Sequence, residues 1–272
     1  MIPLLPKSLA RVGTFALLLL FALPLVWMIM TSLKSSQQLA DDPGGLIFPP
    51  TFAAYQLAVT PELWHSMGVS LVVAASTAIL TLILGIPAAF ALTRVPGVIA
   101  NSVLAMVLVL QMVPSAVSLV PLYRVLGLFE LINTLPGLVF AEVAQFLPFA
   151  IILLRPFCLG IPREIIDAAA IDGAGTFTLL VRVILPLLRN GAAMVGALTF
   201  IFGWGEFLYA ITFINDAGLQ PLSALLAKQI TAYGVNWPAL MALSAIAAFP
   251  LFIIYLLVQR QLRTGLTLGT GK

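Results

Sequence analysis

Between two long apolar stretches the chain runs Ile161-Pro-Arg-Glu-Ile-Ile-Asp-Ala-Ala-Ala-Ile-Asp-Gly-Ala-Gly-Thr-Phe-Thr-Leu-Leu-Val-Arg-Val-Ile-Leu-Pro186, a polar and helix-prone segment. Pro162 suits the first turn of a helix, where a missing N–H has no helical partner to lose. Glu164 and Asp167 fall early in that helix, where negative charge complements the helix dipole. Gly173 predicts the helix end. We therefore expect a short polar helix, followed by a second helical stretch.

The composition excludes a soluble domain. The chain has 272 residues, of which 61% are hydrophobic and 8% charged, whereas globular domains carry roughly 25% charged residues. Its mean hydropathy is +1.13. Six spans of about 20 residues each would leave only short loops. The sequence thus predicts an all-α polytopic membrane protein.

Six apolar segments are interpreted as spans, at residues 12–31, 66–92, 100–120, 135–155, 187–211 and 239–258. The first run is too long for a signal peptide and lacks a cleavage site, so we interpret it as a retained span. The domain prediction is an N-terminal span with its external loop (1–65), a core transmembrane domain (66–260) and a cytoplasmic tail (261–272).

The basic residues predict the orientation. With the N-terminus in the cytoplasm, only Lys34, Arg124 and Lys228 lie outside. The other ten lie inside: Lys7, Arg11, Arg94, Arg155, Arg163, Arg182, Arg189, Arg260, Arg263 and Lys272. This asymmetry follows the positive-inside rule and predicts that both termini and the 157–186 loop are cytoplasmic.

The three external segments are predicted at 32–65, 123–134 and 212–238, the last with a short amphipathic helix near 222–233. The single cysteine, Cys158, excludes an intrachain disulfide and a multi-cysteine metal site. The single histidine, His65, is interpreted as solvated. No catalytic or metal-binding constellation is apparent, and the scattered basic residues do not indicate nucleic-acid binding.

The spacing of the 161–186 segment resembles a family signature. Asp167-Ala168-Ala169 is followed by three residues, Gly173, nine residues and Val183-Ile184-Leu185-Pro186. The permeases of ABC importers carry Glu-Ala-Ala, three residues, Gly, nine residues and Ile-x-Leu-Pro in a cytoplasmic loop. The chain departs from this pattern at Asp167 and Val183, both conservatively. An ordinary amphipathic cytoplasmic helix is the alternative interpretation.

Further segments resemble the carbohydrate class of these permeases and its smaller, maltose-importer-like subunit. They are Ser32-Leu33-Lys34, Phe48 to Tyr55, Ala88 to Arg94, Val120 to Tyr123, Pro148 to Ala150, Gly203 to Phe207 and the glycine-rich end from Gly265. In the family's Trp-Asn-Glu-Phe pattern, Gly205 replaces Asn. The resemblance implies the fold of type I ABC importer permeases and a cell-membrane protein of sugar transport.

The resemblance also implies partners and roles. A second permease subunit, two copies of a cytoplasmic ATPase, an extracytoplasmic solute-binding protein and the sugar are the expected partners. The ATPases would use ATP and Mg, and this chain would bind no cofactor. The coupling helix would seat in an ATPase through Glu164, Asp167, Ala168, Ala169, Asp172, Gly173 and Pro186. The end of the chain resembles a phosphate-binding loop, but Leu266 stands where a glycine is needed.

The substrate path is sought among polar residues in the spans, because ionisable groups at membrane depth are expensive. Glu142 and Gln145 lie one helical turn apart in the fourth span, and Gln111 and Ser115 one turn apart in the third. Either a pathway role or interhelical hydrogen bonding would explain Glu142 and Gln145. For Glu206 the family pattern favours a structural or gating role.

Trp204 and Tyr209 are possible sugar contacts, since a neutral sugar requires hydrogen-bonding and stacking groups. Three rival functions remain open at this point. A permease for a phosphate ester, a polyamine or a peptide would share the signature loop. A secondary transporter would show inverted repeats, and a membrane enzyme would need catalytic groups.

Overall fold

The computed structural model describes residues 7–268, with side chains from 11 to 260. The helices are α1 (Lys7–Ser32), α2 (Ser36–Asp41), α3 (Ala53–Ala58), α4 (Pro61–Ala91), α5 (Gly97–Gln111), α6 (Ser115–Leu128), α7 (Leu135–Leu159), α8 (Arg163–Ile171), α9 (Thr176–Thr178), α10 (Leu185–Leu187), α11 (Arg189–Trp204), α12 (Leu208–Phe213), α13 (Leu222–Ala227) and α14 (Trp237–Leu268). A π-helix (Leu179–Ile184), a 3-10 turn (Ala217–Leu219) and two short strands, β1 (Ile230–Thr231) and β2 (Gly234–Val235), complete the described elements.

The predicted all-α membrane architecture is confirmed, with two spans broken. Four described helices are long and apolar enough to cross a bilayer, within α1, α4, α7 and α14. Two bent pairs bring the number to six if each pair is one span: α5 with α6, and Thr176–Leu187 with α11. The side chains of the predicted tail, including Arg263, and the final residues 269–272 lie outside the described part.

The predicted third span, 100–120, is not one continuous helix. α5 and α6 meet at a bend of 98°. Pro114 has no N–H to donate and adopts an extended ψ of 139° at the start of α6, which interrupts the helical hydrogen bonds. The expectation that Gln111 and Ser115 lie one turn apart on one helix is therefore wrong, because they stand on either side of this break.

The predicted fifth span, 187–211, is also interrupted. The helical segment Thr176–Leu187 and α11 are bent by 83°, and α11 ends at Trp204, before α12 begins. Pro186 lies inside α10, before the bend. Because Pro186 cannot donate to the carbonyl of Arg182 four residues earlier, the α-helical ladder is broken here, and a π-helix precedes it.

The chain forms two compact units. The first contains the described residues up to Trp64 together with Leu225–Phe249. In it the Lys34 ammonium is buried and donates to the carbonyls of Asp42 and Pro43, each at 3.2 Å. β1 and β2 form an antiparallel hairpin in which Ile230 pairs with Val235. The predicted amphipathic helix at 222–233 is thus confirmed only for its first half, which is α13. The second half begins the hairpin instead.

The second unit contains residues 65–224 and the chain from Pro250 onward. Its core is built by α4, α7 and α11, whose close contacts depend on glycine. A Cβ on Gly191 would lie 2.6 Å from the ring of Phe157, and one on Gly196 would lie 2.9 Å from Leu82. α7 therefore packs tightly against α11, and α11 against α4.

Candidate functional site

The helix α8 is delimited by two residues with special backbone conformations. Pro162 precedes it with φ −56° and ψ 138°, and Gly173 follows it with φ +77°. The N–H of Gly173 bonds the carbonyl of Ala170 at 3.1 Å, and that of Ala174 bonds the carbonyl of Ala169 at 2.9 Å. These two bonds form a Schellman motif. The predicted helix end at Gly173 is confirmed.

Most of α8 faces away from the protein core. Ile166 is its buried residue, 8% exposed, and packs in a cluster with Ile161 and Ile184. Ile171 is 87% exposed and Phe177 is 79% exposed. The predicted coupling residues are mostly exposed, namely Glu164, Asp167, Ala168, Asp172, Gly173 and Pro186, while Ala169 is half-buried. The loop therefore exposes acidic, small and large apolar groups.

Glu142 lies in the packed interior of the second unit. Its side chain is 1% exposed, and its Oε2 accepts a hydrogen bond from Thr77 Oγ1 at 2.8 Å. A Cβ on Gly203 would lie 2.9 Å from the same oxygen and 3.5 Å from the Cα of Ala74. The carboxylate therefore sits where α4, α7 and α11 meet, and its contacts join helices.

Gln145 has different neighbours. The Tyr209 hydroxyl donates to Gln145 Oε1 at 3.0 Å and lies 2.6 Å from Ser118 Oγ. These three side chains join α6, α7 and α12 and border a cavity of about 310 Å³. The other lining residues are Leu110, Val113, Pro121, Leu122, Val125, Ala144 and Pro148. The cavity is thus mainly apolar, with a small group of neutral hydrogen-bonding groups on its wall.

Glu206 positions Tyr209. Its carboxylate accepts the backbone N–H of Tyr209 at 3.0 Å and that of Ala210 at 3.1 Å. These bonds satisfy the free N–H groups at the start of α12, where negative charge also complements the helix dipole. Ser223 Oγ donates to the Glu206 carbonyl at 2.7 Å. The geometry thus gives Glu206 a structural contact at the start of α12.

The structure brings together only part of the predicted path. Gln145 and Tyr209 meet at the cavity. Trp204 is 5% exposed and stacks on Phe200 with centroids 5.9 Å apart, and neither it nor Glu142 lines that cavity. Ser115 contributes its carbonyl to Ser118 at 2.7 Å, and Gln111 has a buried Oε1 with no hydrogen-bond partner among the described residues.

Sequence reasoning missed Thr77 and Ser118. Both are hydroxyl residues within apolar helices, and such residues hydrogen-bond across helices in membranes. Ser118 also lies one turn after Ser115. A search of the spans for every polar residue, rather than for charged and amide residues, would have found them.

Comparison with known proteins identifies the family. Residues 81–267 match the family described as the inner membrane component of binding-protein-dependent transport systems. The chain belongs to this family. As such a permease component, it works with a solute-binding protein and an ATPase.

Two relatives are similar to this permease over most of both chains. The diacetylchitobiose uptake system permease protein DasC of Streptomyces coelicolor is 30% identical, with 92% of this chain and 91% of that protein covered. The sulfoquinovosyl glycerol transport system permease protein SmoH of Agrobacterium fabrum is 29% identical, with 97% and 93% covered.

A solved structure shares the fold of this permease. It is a bacterial ABC transporter involved in the import of the acidic polysaccharide alginate, with a TM-score of 0.75 and 22% identity over 95% of this chain and 99% of that one. The architecture is therefore that of an ABC importer permease.

Proposed function

We propose that this permease is one of two different permease subunits in an ATP-driven carbohydrate importer, and that α8 couples it to the ATPase. The observation that carries the coupling role is the exposed surface of the 161–186 loop. α8 is short and held by Ile166, yet Ile171 and Phe177 are 87% and 79% exposed. Ile171 adjoins Asp172 and follows Asp167 by one helical turn, and an apolar group so exposed on a polar helix indicates a protein interface.

In this mechanism α8 moves as a rigid element. Pro162 and Gly173 delimit it, so ATPase closure would carry the helix and tilt the attached span bundle between two packed states. The exposed alanines at 168 and 170 permit close approach, and Asp167 faces basic or N–H-rich groups of the partner. ATP and Mg belong to two copies of the ATPase subunit, and this chain contributes no ATPase site.

A crosslinking experiment tests the coupling contact. In a Cys158→Ser background, Ala168→Cys is expected to crosslink to cysteines introduced in the ATPase cleft, with a yield that changes on ATP addition. Val98→Cys is the matched control, because Val98 is 80% exposed but lies in α5, outside the loop. Equal crosslinking of both variants would reject the coupling assignment.

The orientation belongs to the same proposal, with both termini and the 157–186 loop in the cytoplasm. Ala170 and Asp41 are both exposed. A membrane-impermeant thiol reagent applied to intact cells should label Asp41→Cys and spare Ala170→Cys, in the Cys158→Ser background. The opposite labelling pattern would overturn the orientation.

A neutral carbohydrate is the proposed solute. The names of the relatives support a sugar derivative, and the cavity supports neutrality, since its lining residues include no charged side chain. A polyamine or a phosphate ester would call for charge on that wall. Gln145, Ser118 and Tyr209 offer amide and hydroxyl groups that suit sugar hydroxyls. The expected result is binding of an oligosaccharide by the cognate solute-binding protein, with no binding of peptides, polyamines or phosphate esters.

A further inference from the structure

Two threonines of the second unit are fully buried and unsatisfied. Thr81 and Thr199 are each 0% exposed, and neither Oγ1 has a hydrogen-bond partner among the described residues. A helical threonine commonly bonds the carbonyl one turn earlier. Thr212 does so to Leu208 at 2.6 Å. The two hydroxyls are therefore exceptions that need a partner, since an unpaired hydroxyl in an apolar interior is unfavourable.

The packing of the helices brings these two threonines to the same stretch of one interface. Along α4 and α11, Gly203 lies against Ala74, and Gly196 against Leu82. The two helices therefore run in opposite directions. Thr81 and Thr199 both fall between these two contacts, Thr81 one residue from Leu82 and Thr199 four residues from Gly203, so they lie about 4 Å apart along the interface.

Both threonines also share the faces that meet Glu142. Thr81 follows Thr77 by four residues, and Thr199 precedes Gly203 by four residues, a spacing that puts each pair on one helix face. Thr77 and Gly203 are the residues in contact with the Glu142 carboxylate. The two free hydroxyls therefore lie one helical turn beyond the residues that contact the carboxylate.

We infer that Thr81 and Thr199 bind an internal water molecule between α4, α7 and α11. Four residues of helix rise about 6 Å, close to the span of two hydrogen bonds, so one water can connect the two hydroxyls with Glu142. Such a water has three polar partners, the number that buried waters typically find. It would satisfy both hydroxyls and give the carboxylate a second partner beside Thr77. The site is independent of which solute is carried.

The test measures whether substitution of these threonines lowers or raises the thermal midpoint of the assembled importer. Valine is nearly isosteric with threonine, so Thr81→Val and Thr199→Val each remove the hydroxyl without leaving a cavity. With a bound water, each variant should lower the thermal midpoint by about 2 to 4 °C, and the double variant by hardly more than the larger single change. Thr81→Ser retains the hydroxyl and should restore most of the loss.

Thr212→Val is the matched control, because that hydroxyl already bonds its own helix. Its midpoint shift gives the effect of the same substitution without a shared water. An unchanged or raised midpoint in Thr81→Val and Thr199→Val would overturn the inference, since it would mean that the hydroxyls are simply unsatisfied. Additive losses would also overturn it. A high-resolution map of the importer should show a water peak within hydrogen-bond distance of both hydroxyls, and an empty position there would count against the site.

Discussion

The charged side chains of the 161–186 loop are exposed, whereas polar side chains in the interior of the span bundle form hydrogen bonds between helices. In the loop, Asp167 and Asp172 are exposed beside Ile171 and Phe177, which are 87% and 79% exposed. In the bundle, Glu142 is 1% exposed and bonded to Thr77 at 2.8 Å. The loop leaves its side chains uncovered, as the proposed ATPase contact requires, whereas the bundle uses its polar groups to hold helices together. Substitutions in the two regions should therefore fail in different assays.

The largest effect is expected at Gly173, where φ is +77°. A Cβ there would meet nothing within 4 Å, so the penalty of Gly173→Val comes from the backbone conformation and not from a clash. Left-handed backbone costs a residue with a Cβ about 1–2 kcal/mol, and more for a β-branched one. We expect uptake to fall by roughly tenfold or more, because α8 would lose its defined end, while membrane insertion persists.

Gly175→Val provides the control for this prediction. Gly175 also has open space around its Cβ position, and its φ of −67° and ψ of 163° are ordinary extended values. Uptake by that variant should stay within a factor of about two. Equal losses in the two variants would mean that the loop cannot accept any side chain at this point, and would contradict a special role of the Schellman motif.

The second prediction concerns Glu142→Ala. The substitution leaves the Thr77 hydroxyl without its partner in a packed interior, which costs about 1–3 kcal/mol. We expect less assembled importer and a lower thermal midpoint, with near-normal uptake per assembled complex. Glu142→Gln should be milder, because the amide oxygen still accepts the hydrogen bond. Normal assembly with a selective loss of uptake would instead support a pathway role for Glu142.

The third prediction concerns Tyr209→Phe, which removes one oxygen atom. Tyr209→Phe deletes the hydroxyl that contacts Gln145 at 3.0 Å and Ser118 at 2.6 Å, and it keeps the ring in the core. A net loss of about 1 kcal/mol in the free energy of unfolding is expected. Because the three groups border the cavity, a raised KM for uptake should accompany it. Tyr123→Phe is the control, since Tyr123 contacts Phe213 through its ring at 6.3 Å.

If Tyr209→Phe lowers stability without changing KM, the cavity is not part of the solute path. Gln145→Ala tests whether the amide group, rather than the Tyr209 hydroxyl, contacts the solute. It removes the amide and also enlarges the cavity. A raised KM in Gln145→Ala alone would assign the contact to the amide group.

The difference between the regions also explains what the sequence could predict. The loop is built from local signals, since Pro162, Gly173 and the helix between them lie within twelve residues, and these signals predict its helix and its end. The residues of the family signature, from Asp167 to Pro186, are likewise close together in the sequence. The hydrogen bonds of the bundle join residues that are far apart in the sequence. Thr77 and Glu142 are separated by 65 residues, and Ser118 and Tyr209 by 91, so no local pattern could pair them.

The breaks in the spans were missed for another physical reason. Apolar length predicts how much chain can cross the membrane but not whether it stays straight. Pro114 and Pro186 stand next to the two bends, and their missing N–H groups were visible in the sequence. Whether a proline kinks a helix or ends it depends on the neighbours that satisfy the freed carbonyls, and those neighbours come from the tertiary structure.

The smallest effect on the chain itself is expected for Asp167→Asn. Asp167 is exposed on α8, so loss of its charge should change the free energy of unfolding by less than about 0.5 kcal/mol. Its effect should appear in the affinity of the ATPase subunit and should weaken as ionic strength rises, because exposed charges are screened by salt. Copurification of the ATPase at low and high salt, together with a thermal melt, measures both quantities. A drop in thermal midpoint as large as that of Tyr209→Phe would mean that Asp167 supports the fold of its own subunit, and would contradict the contrast between an exposed loop and a bundle whose polar side chains join helices.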